Sequence, residues 1–174
     1  MKSVLIVVDW QNDFITGSLG FKGAETLDAV IAAKIRKYRK DGADIIFTFD
    51  THQDDYLSTR EGKDLPLPHC IKGTVGHELY GRVRDEKEDE DIVLEKPTFG
   101  SLELASVLQK MKYEKIELCG LVSNICVLSN AVIAKAALPE AEIIIDKKAT
   151  SSADNKLNDA ALNVLAGLFI KIIS

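Results

Sequence analysis

The chain reads as an α/β protein, a doubly wound, Rossmann-like sheet of six parallel strands with helices on both faces. Three observations predict this. Short apolar, β-branched runs recur along the sequence, stretches of helical length and periodicity separate them, and several runs stop on a charge or glycine, as at Asp9, Lys96 and Gly120. Strands that alternate with helices pair in parallel, because the chain returns to the same end of the sheet through each helical crossover.

The elements follow in order. Residues 4–8 form an apolar strand that ends on Asp9. Residues 26–41 have helical periodicity, and Gly42 stands where a helix C-cap needs a left-handed residue. Residues 44–49 make a second strand, followed by an irregular stretch over 50–76. The charge run 84–91 reads as a solvated loop that leads into a strand over 92–95. Ser101 or Gly100 opens a helix over 102–111. A strand at 115–119, a helix at 124–137 and a strand at 142–145 come next. A helix over 156–165, capped by Gly167, and a strand over 168–172 complete the pattern.

A chain of 174 residues suits a single domain over 1–174, large enough to bury about 70% of its unfolded surface without staples. Apolar content of 46% and charged content of 28% are ordinary for a globular protein. A net charge of -5 gives no reason to expect nucleic acid or an anionic membrane as partner. No apolar run approaches the ~18 residues of a membrane span, and no basic segment with an apolar follow-on opens the chain. A cytoplasmic location is the resulting expectation. Cys70, Cys119 and Cys126 make an odd count without framework spacing, which fits a reducing compartment.

Candidate chemistry gathers at strand ends. The turn Gly120-Leu121-Val122-Ser123-Asn124-Ile125-Cys126 places a cysteine at the start of an apolar helix, where unpaired amides and the helix dipole favour thiolate. The alternative is a small buried residue without chemistry. Asp9 and Lys96 each follow a strand, and the carboxyl ends of parallel strands line the ligand crevice. A carboxylate can accept the thiol proton while an ammonium holds the thiolate. The stretch 50–76 contains Asp50-Thr51-His52, Glu61 and Pro66-Leu67-Pro68-His69, and so holds two of the three histidines. Mixed imidazole and carboxylate donors suit a divalent transition metal, and a polar loop with a backbone-satisfied histidine is the alternative.

With these residues placed, the chain resembles the isochorismatase-like cysteine hydrolases, and within them the nicotinamidase/pyrazinamidase branch. The resemblance rests on Val7-Val8-Asp9-Trp10-Gln11-Asn12-Asp13-Phe14, Asp50-Thr51-His52, Leu67-Pro68-His69-Cys70-Ile71-Lys72-Gly73-Thr74, Glu95-Lys96-Pro97-Thr98-Phe99 and residues 120–127. It implies Cys126 as nucleophile with Asp9 and Lys96 beside it, a cis peptide between Leu121 and Val122, and an oxyanion hole from the amides of Val122 and Cys126. It also implies a metal held by Asp50, His52, Glu61 and His69, with zinc as the first expectation and manganese or iron as alternatives. Relatives place an aromatic residue near the last metal histidine, where this chain has Pro66 and Leu67. Phe14 and Phe99 are candidates for the apolar wall of the pocket.

The implied activity is hydrolysis of nicotinamide or pyrazinamide to the acid and ammonia through a cysteine thioester. The expected partner is thus a small-molecule amide, and the chain is expected to form a homo-oligomer. Another small amide, carbamoyl or ureido substrate keeps the same triad, and a more distant variant acts on the vinyl ether of isochorismate. A receiver-like signalling domain is the non-enzyme alternative, since Asp9, Asp50 and Lys96-Pro97 imitate its acidic and Lys-Pro pattern. Against it, Trp10 stands where receivers carry a second acid, and the chain runs far beyond Lys96.

Overall fold

The computed structural model describes residues 2–174. Six strands, β1 (Ser3–Val8), β2 (Asp44–Asp50), β3 (Ile92–Lys96), β4 (Lys115–Leu121), β5 (Glu142–Ser151) and β6 (Lys171–Ile173), form one sheet in the order β3-β2-β1-β4-β5-β6. Every pairing is parallel. Chain order reverses between β1 and β4, which makes that pair the switch point where the crossovers diverge to opposite faces and a crevice opens at the carboxyl ends.

The helices are α1 (Asn12–Ile15), α2 (Asp28–Lys40), α3 (Arg60–Asp64), α4 (Gly81–Glu86), α5 (Leu102–Met111), α6 (Leu128–Ala137) and α7 (Asn155–Gly167). Val4 to Val8 of β1 are fully buried, and their side chains alternate between two cores. Val4, Ile6 and Val8 pack with Leu104 and Leu108 of α5, Ala131 and Ala134 of α6, and Leu162 and Leu165 of α7. Leu5 and Val7 pack on the other side with Ile31, Ala32 and Ile35 of α2, with Val83 of α4 and with Trp10. Burial on both faces explains why these strands read as continuous apolar runs.

Several boundaries differ from the sequence expectation. The stretch 50–76 is not irregular throughout: Asp50 belongs to β2, 3-10 turns occupy Tyr56–Ser58 and Val75–His77, and α3 lies between them. These pieces are too short to show a helical period. The charge run 84–91 begins within α4, and Asp91 is held by Arg39 through two hydrogen bonds of 2.9 and 2.8 Å rather than solvated. β5 continues past Ile145 through an irregular register to Ser151, because backbone pairing to β4 resumes at Thr150 after the charged interruption. At the end of α2, Gly42 has φ 75°, and its amide and that of Ala43 close on Arg39 and Tyr38, the expected left-handed cap. At the end of α7 the left-handed residue is Phe169 (φ 60°), not Gly167, since the helix runs through Gly167 before the same closure is made to Ala166 and Leu165. β6 starts at Lys171 in consequence.

Candidate active site

Four strand ends converge at the switch point. Asp9 follows β1 in a left-handed conformation (φ 47°), tolerable for aspartate, and its amide donates to Thr48 O at 3.1 Å. Asp50 and Lys96 are register partners at the ends of β2 and β3. Cys126 lies in the turn after β4.

Lys96 is 1% exposed and joins these groups. Its Nζ lies 2.6 Å from Asp9 Oδ2, 3.5 Å from Asp50 Oδ1 and 3.7 Å from Cys126 Sγ, and it donates to Thr98 O at 3.0 Å. Burial works against its charge, but Asp9, Cys126 and Asp50 outweigh that cost and raise its pKa. Thr48 Oγ1 donates to Asp9 Oδ1 at 2.6 Å. Asp9 is wholly buried, and this desolvation raises its pKa despite the neighbouring ammonium.

Beside this triad, Asp50, His52 and His69 each offer a donor atom, all within 4.8 Å of one another. Asp50 Oδ2 lies 3.1 Å from His52 Nε2 and 3.2 Å from His69 Nε2. Glu61 Oε1 stands at the edge of the group, 3.6 and 3.7 Å from the same two nitrogens. Burial disfavours the Asp50 carboxylate, yet the two imidazoles and Lys96 hold its pKa below the ordinary value. The opposite nitrogen of His69, Nδ1, is 2.9 Å from Leu67 O, a contact that a protonated Nδ1 makes and that leaves Nε2 as a lone-pair donor. Two imidazoles and a carboxylate converging with the tautomer of one imidazole set from behind fit a divalent transition metal.

The Isochorismatase domain family matches residues 3–174. The chain belongs to this family. An uncharacterized isochorismatase family protein, PncA of Bacillus subtilis (strain 168), is 28% identical over 178 residues, 95% of each chain. A pyrazinamidase/nicotinamidase structure from Streptococcus mutans UA159 is 29% identical with a TM-score of 0.89, covering 99% of this chain and 100% of that one. The pyrazinamidase of Pyrococcus horikoshii, solved in complex with zinc, is 25% identical with a TM-score of 0.88, covering 100% and 99%. The chain is an isochorismatase-family hydrolase.

In this family member the cysteine turn departs from the sequence expectation. Cys126 does not sit in the first turn of an α-helix: Ser123–Val127 form a wider π-type turn, and α6 begins at Leu128. The Val122 carbonyl accepts from both Ile125 N and Val127 N at 3.2 Å, which opens the spacing. The Leu121-Val122 peptide is cis. The expectation of a resting thiolate is not met either. Cys126 is 4% exposed, and burial followed by the Asp9 charge raises its pKa well above the ordinary thiol value, outweighing Lys96.

Phe14 is buried with its ring edge-on to His69 at 5.9 Å, whereas Phe99 is 43% exposed and lends its carbonyl to Asn130 Nδ2 at 3.1 Å. A cleft of about 310 Å³ beside the metal cluster is lined by polar groups, among them His52, Gln53, Glu61 and Thr98, and by neither phenylalanine. A hollow of about 460 Å³ near Tyr113 and Glu142 lies at the amino ends of β4 and β5, away from the site. Tyr56, buried with its ring 4.7 Å from His52 and 5.0 Å from His69, is the aromatic packed against both histidines.

Thr48, Gln11 and Asn130 are site residues the sequence reading missed. Thr48 is a polar residue within a buried strand, and Asn130 a wholly buried amide on an apolar helix, so each left a compositional signal. Asn130 Nδ2 donates to Cys126 O at 2.8 Å while its Oδ1 accepts from Ser101 N at 3.0 Å, tying the cysteine turn to the segment after Lys96. No described helix is long and apolar enough to cross a membrane.

Proposed function

We propose that residues 1–174 act as one amidohydrolase unit that converts nicotinamide, and pyrazinamide, to the acid and ammonia through a thioester on Cys126. The observation that carries this reading is the Lys96 ammonium held 2.6 Å from Asp9 and 3.7 Å from Cys126, directly beside the Asp50, His52 and His69 cluster. Because burial raises the pKa of both Asp9 and Cys126, the resting site keeps its proton on sulfur, and Asp9 is a stronger base than an exposed carboxylate.

As substrate binds, the Cys126 thiol proton passes to Asp9 and the sulfur forms a bond to the carboxamide carbon. The amides of Val122 and Cys126 receive the oxyanion, a contribution of about 3 to 4 kcal/mol per donor in measured cases. Collapse breaks the C–N bond, and Asp9 gives its proton to the departing nitrogen, which leaves as ammonia. Asp9 then takes a proton from water as the hydroxyl adds to the thioester carbon, and returns it to sulfur as the acid departs. Lys96 stays charged throughout and stabilises whichever of Asp9 and Cys126 carries the negative charge. A divalent transition metal, zinc by the donor set, would be held by Asp50, His52 and His69 with Glu61 adjacent. When bound it supplies a Lewis-acidic anchor for a heteroatom of the substrate.

The deciding experiment is ammonia release from nicotinamide and pyrazinamide, with and without chelator, for the wild type and for Cys126→Ala. Turnover of nicotinamide by the wild type and its loss in the variant are expected. Unchanged turnover in the variant would overturn the thioester. No release from either amide, together with hydrolysis of a ureido or carbamoyl compound, would move the activity to that substrate class.

A further inference from the structure

The segment after β1 carries a polar side chain that the proposed mechanism does not use. Gln11 is fully buried, and each of its polar atoms is engaged. Its Oε1 accepts from Asp50 N at 2.9 Å, and its Nε2 donates to Asp50 O at 2.9 Å and to His77 O at 2.9 Å. One amide thus grips both main-chain groups of Asp50. Asp50 is the residue on which the two halves of the site meet, since Oδ2 faces His52 and His69 while Oδ1 faces Lys96. Its neighbour Asn12 ties down the same 75–78 segment, with Nδ2 donating to Val75 O at 2.7 Å and N donating to Glu78 O at 2.9 Å, but touches none of the cluster residues.

We infer that Gln11 is a positioning residue for the metal cluster, fixing the Asp50 carboxylate at the spacing from His52 and His69 that a metal requires. The inference rests on the proposed metal reading and deepens it. A ligand that must be ordered on binding loses affinity to that ordering, so a clamp on its backbone contributes metal affinity in addition to stability. Gln11→Met keeps the side-chain length and removes all three hydrogen bonds, while Asn12→Ala loosens the neighbouring tie alone.

The test is zinc affinity, measured by competition with a chromophoric chelator on stripped full-length protein, beside thermal unfolding of each stripped variant. Gln11→Met is expected to bind zinc 10- to 100-fold more weakly than the wild type, and Asn12→Ala to bind it within about 3-fold, the ordinary spread for a change that touches no ligand. Equal affinity in Gln11→Met and wild type would overturn the role of Gln11 while leaving the metal reading in place. Equal weakening in both variants would show that the loop tie, not Gln11, carries the effect. A wild type that binds no zinc would overturn both this inference and the metal reading. If Gln11→Met does not fold, Gln11→Asn, one methylene shorter and still polar, is measured in its place, with the same weakening expected and the same null result decisive.

Discussion

At the scale of single residues the site is one buried charge system, and removing a member tells by what it leaves behind. Thr48 Oγ1 donates to Asp9 Oδ1 at 2.6 Å inside a site closed to solvent. Thr48→Val keeps the shape and removes that donor, which for a bond to a charged group costs about 1.5 to 3 kcal/mol. The expected result is a 10- to 100-fold fall in kcat with KM little changed, and an unaltered kcat would mean that the Thr48 hydrogen bond does not hold Asp9 for proton transfer. Cys126→Ala should abolish amide turnover, while Cys70→Ala and Cys119→Ala, buried thiols that make no hydrogen bond to Lys96, should keep most of it at some loss of stability. A comparable loss of turnover in all three would point to packing damage. The convergence of Asp9, Lys96 and Cys126 could be read from the sequence because Asp9 and Lys96 stand where strands stop and Cys126 lies in the turn that follows one. The protonation of Cys126 could not, because the sequence shows a helix start but not that the residue is 4% exposed and faces Asp9. Gln11 was hidden for a related reason: its three partners are main-chain atoms of residues far away in sequence.

At the scale of elements, strands and their ends were legible where burial on both faces demanded unbroken apolar runs, as in β1 and β2. α3 and the short 3-10 turns were not, since a single turn of helix leaves no period. The end of α7 was misplaced because Phe169 takes the left-handed position that glycine normally fills. Gly120 shows the opposite case, a glycine whose necessity is geometric. It lies within β4 at φ 109°, and a Cβ there would stand 2.1 Å from Val8 O and 2.8 Å from Val8 N. Backbone on the partner strand cannot rotate aside, and Val8 immediately precedes Asp9. Gly120→Ala is therefore expected to cost more than about 3 kcal/mol, or to prevent folding, as read from urea denaturation. A loss below 1 kcal/mol would mean that β1 and β4 can separate there. By contrast Asp154→Ala, which removes the side-chain cap accepted from Lys156 N and Leu157 N, is expected to cost only about 1 kcal/mol.

At the scale of the whole molecule, which helices cover which face is settled by long-range packing, and one polar network crosses that packing without belonging to the site. Lys34 of α2 reaches Glu117 Oε1 of β4 at 2.8 Å and Asp146 Oδ2 of β5 at 2.6 Å. Tyr38 Oη donates to Glu117 Oε2 at 2.6 Å, and Lys148 N donates to Asp146 Oδ1 at 2.9 Å. Burial opposes the charge on Asp146, but Lys34 and the Lys148 amide outweigh it and hold the carboxyl below its ordinary value. The folded chain therefore binds this proton less readily than the unfolded chain does. The Asp146 contribution is complete above the unfolded value of about 3.9 and disappears as pH falls through the lower folded value. Lys34 has the opposite sign: burial lowers its pKa but the two carboxylates raise it further, so its contribution holds below the ordinary lysine value and fades as pH rises beyond it. Asp146→Asn should accordingly lower stability by about 1 to 3 kcal/mol at pH 7, with Glu117 still paired to Lys34, and by much less near pH 2 to 3, where the wild-type carboxylate is itself being protonated. Urea denaturation of wild type and variant at the two pH values measures this. An equal loss at both would assign the effect to packing and remove Asp146 from the acid dependence of folding.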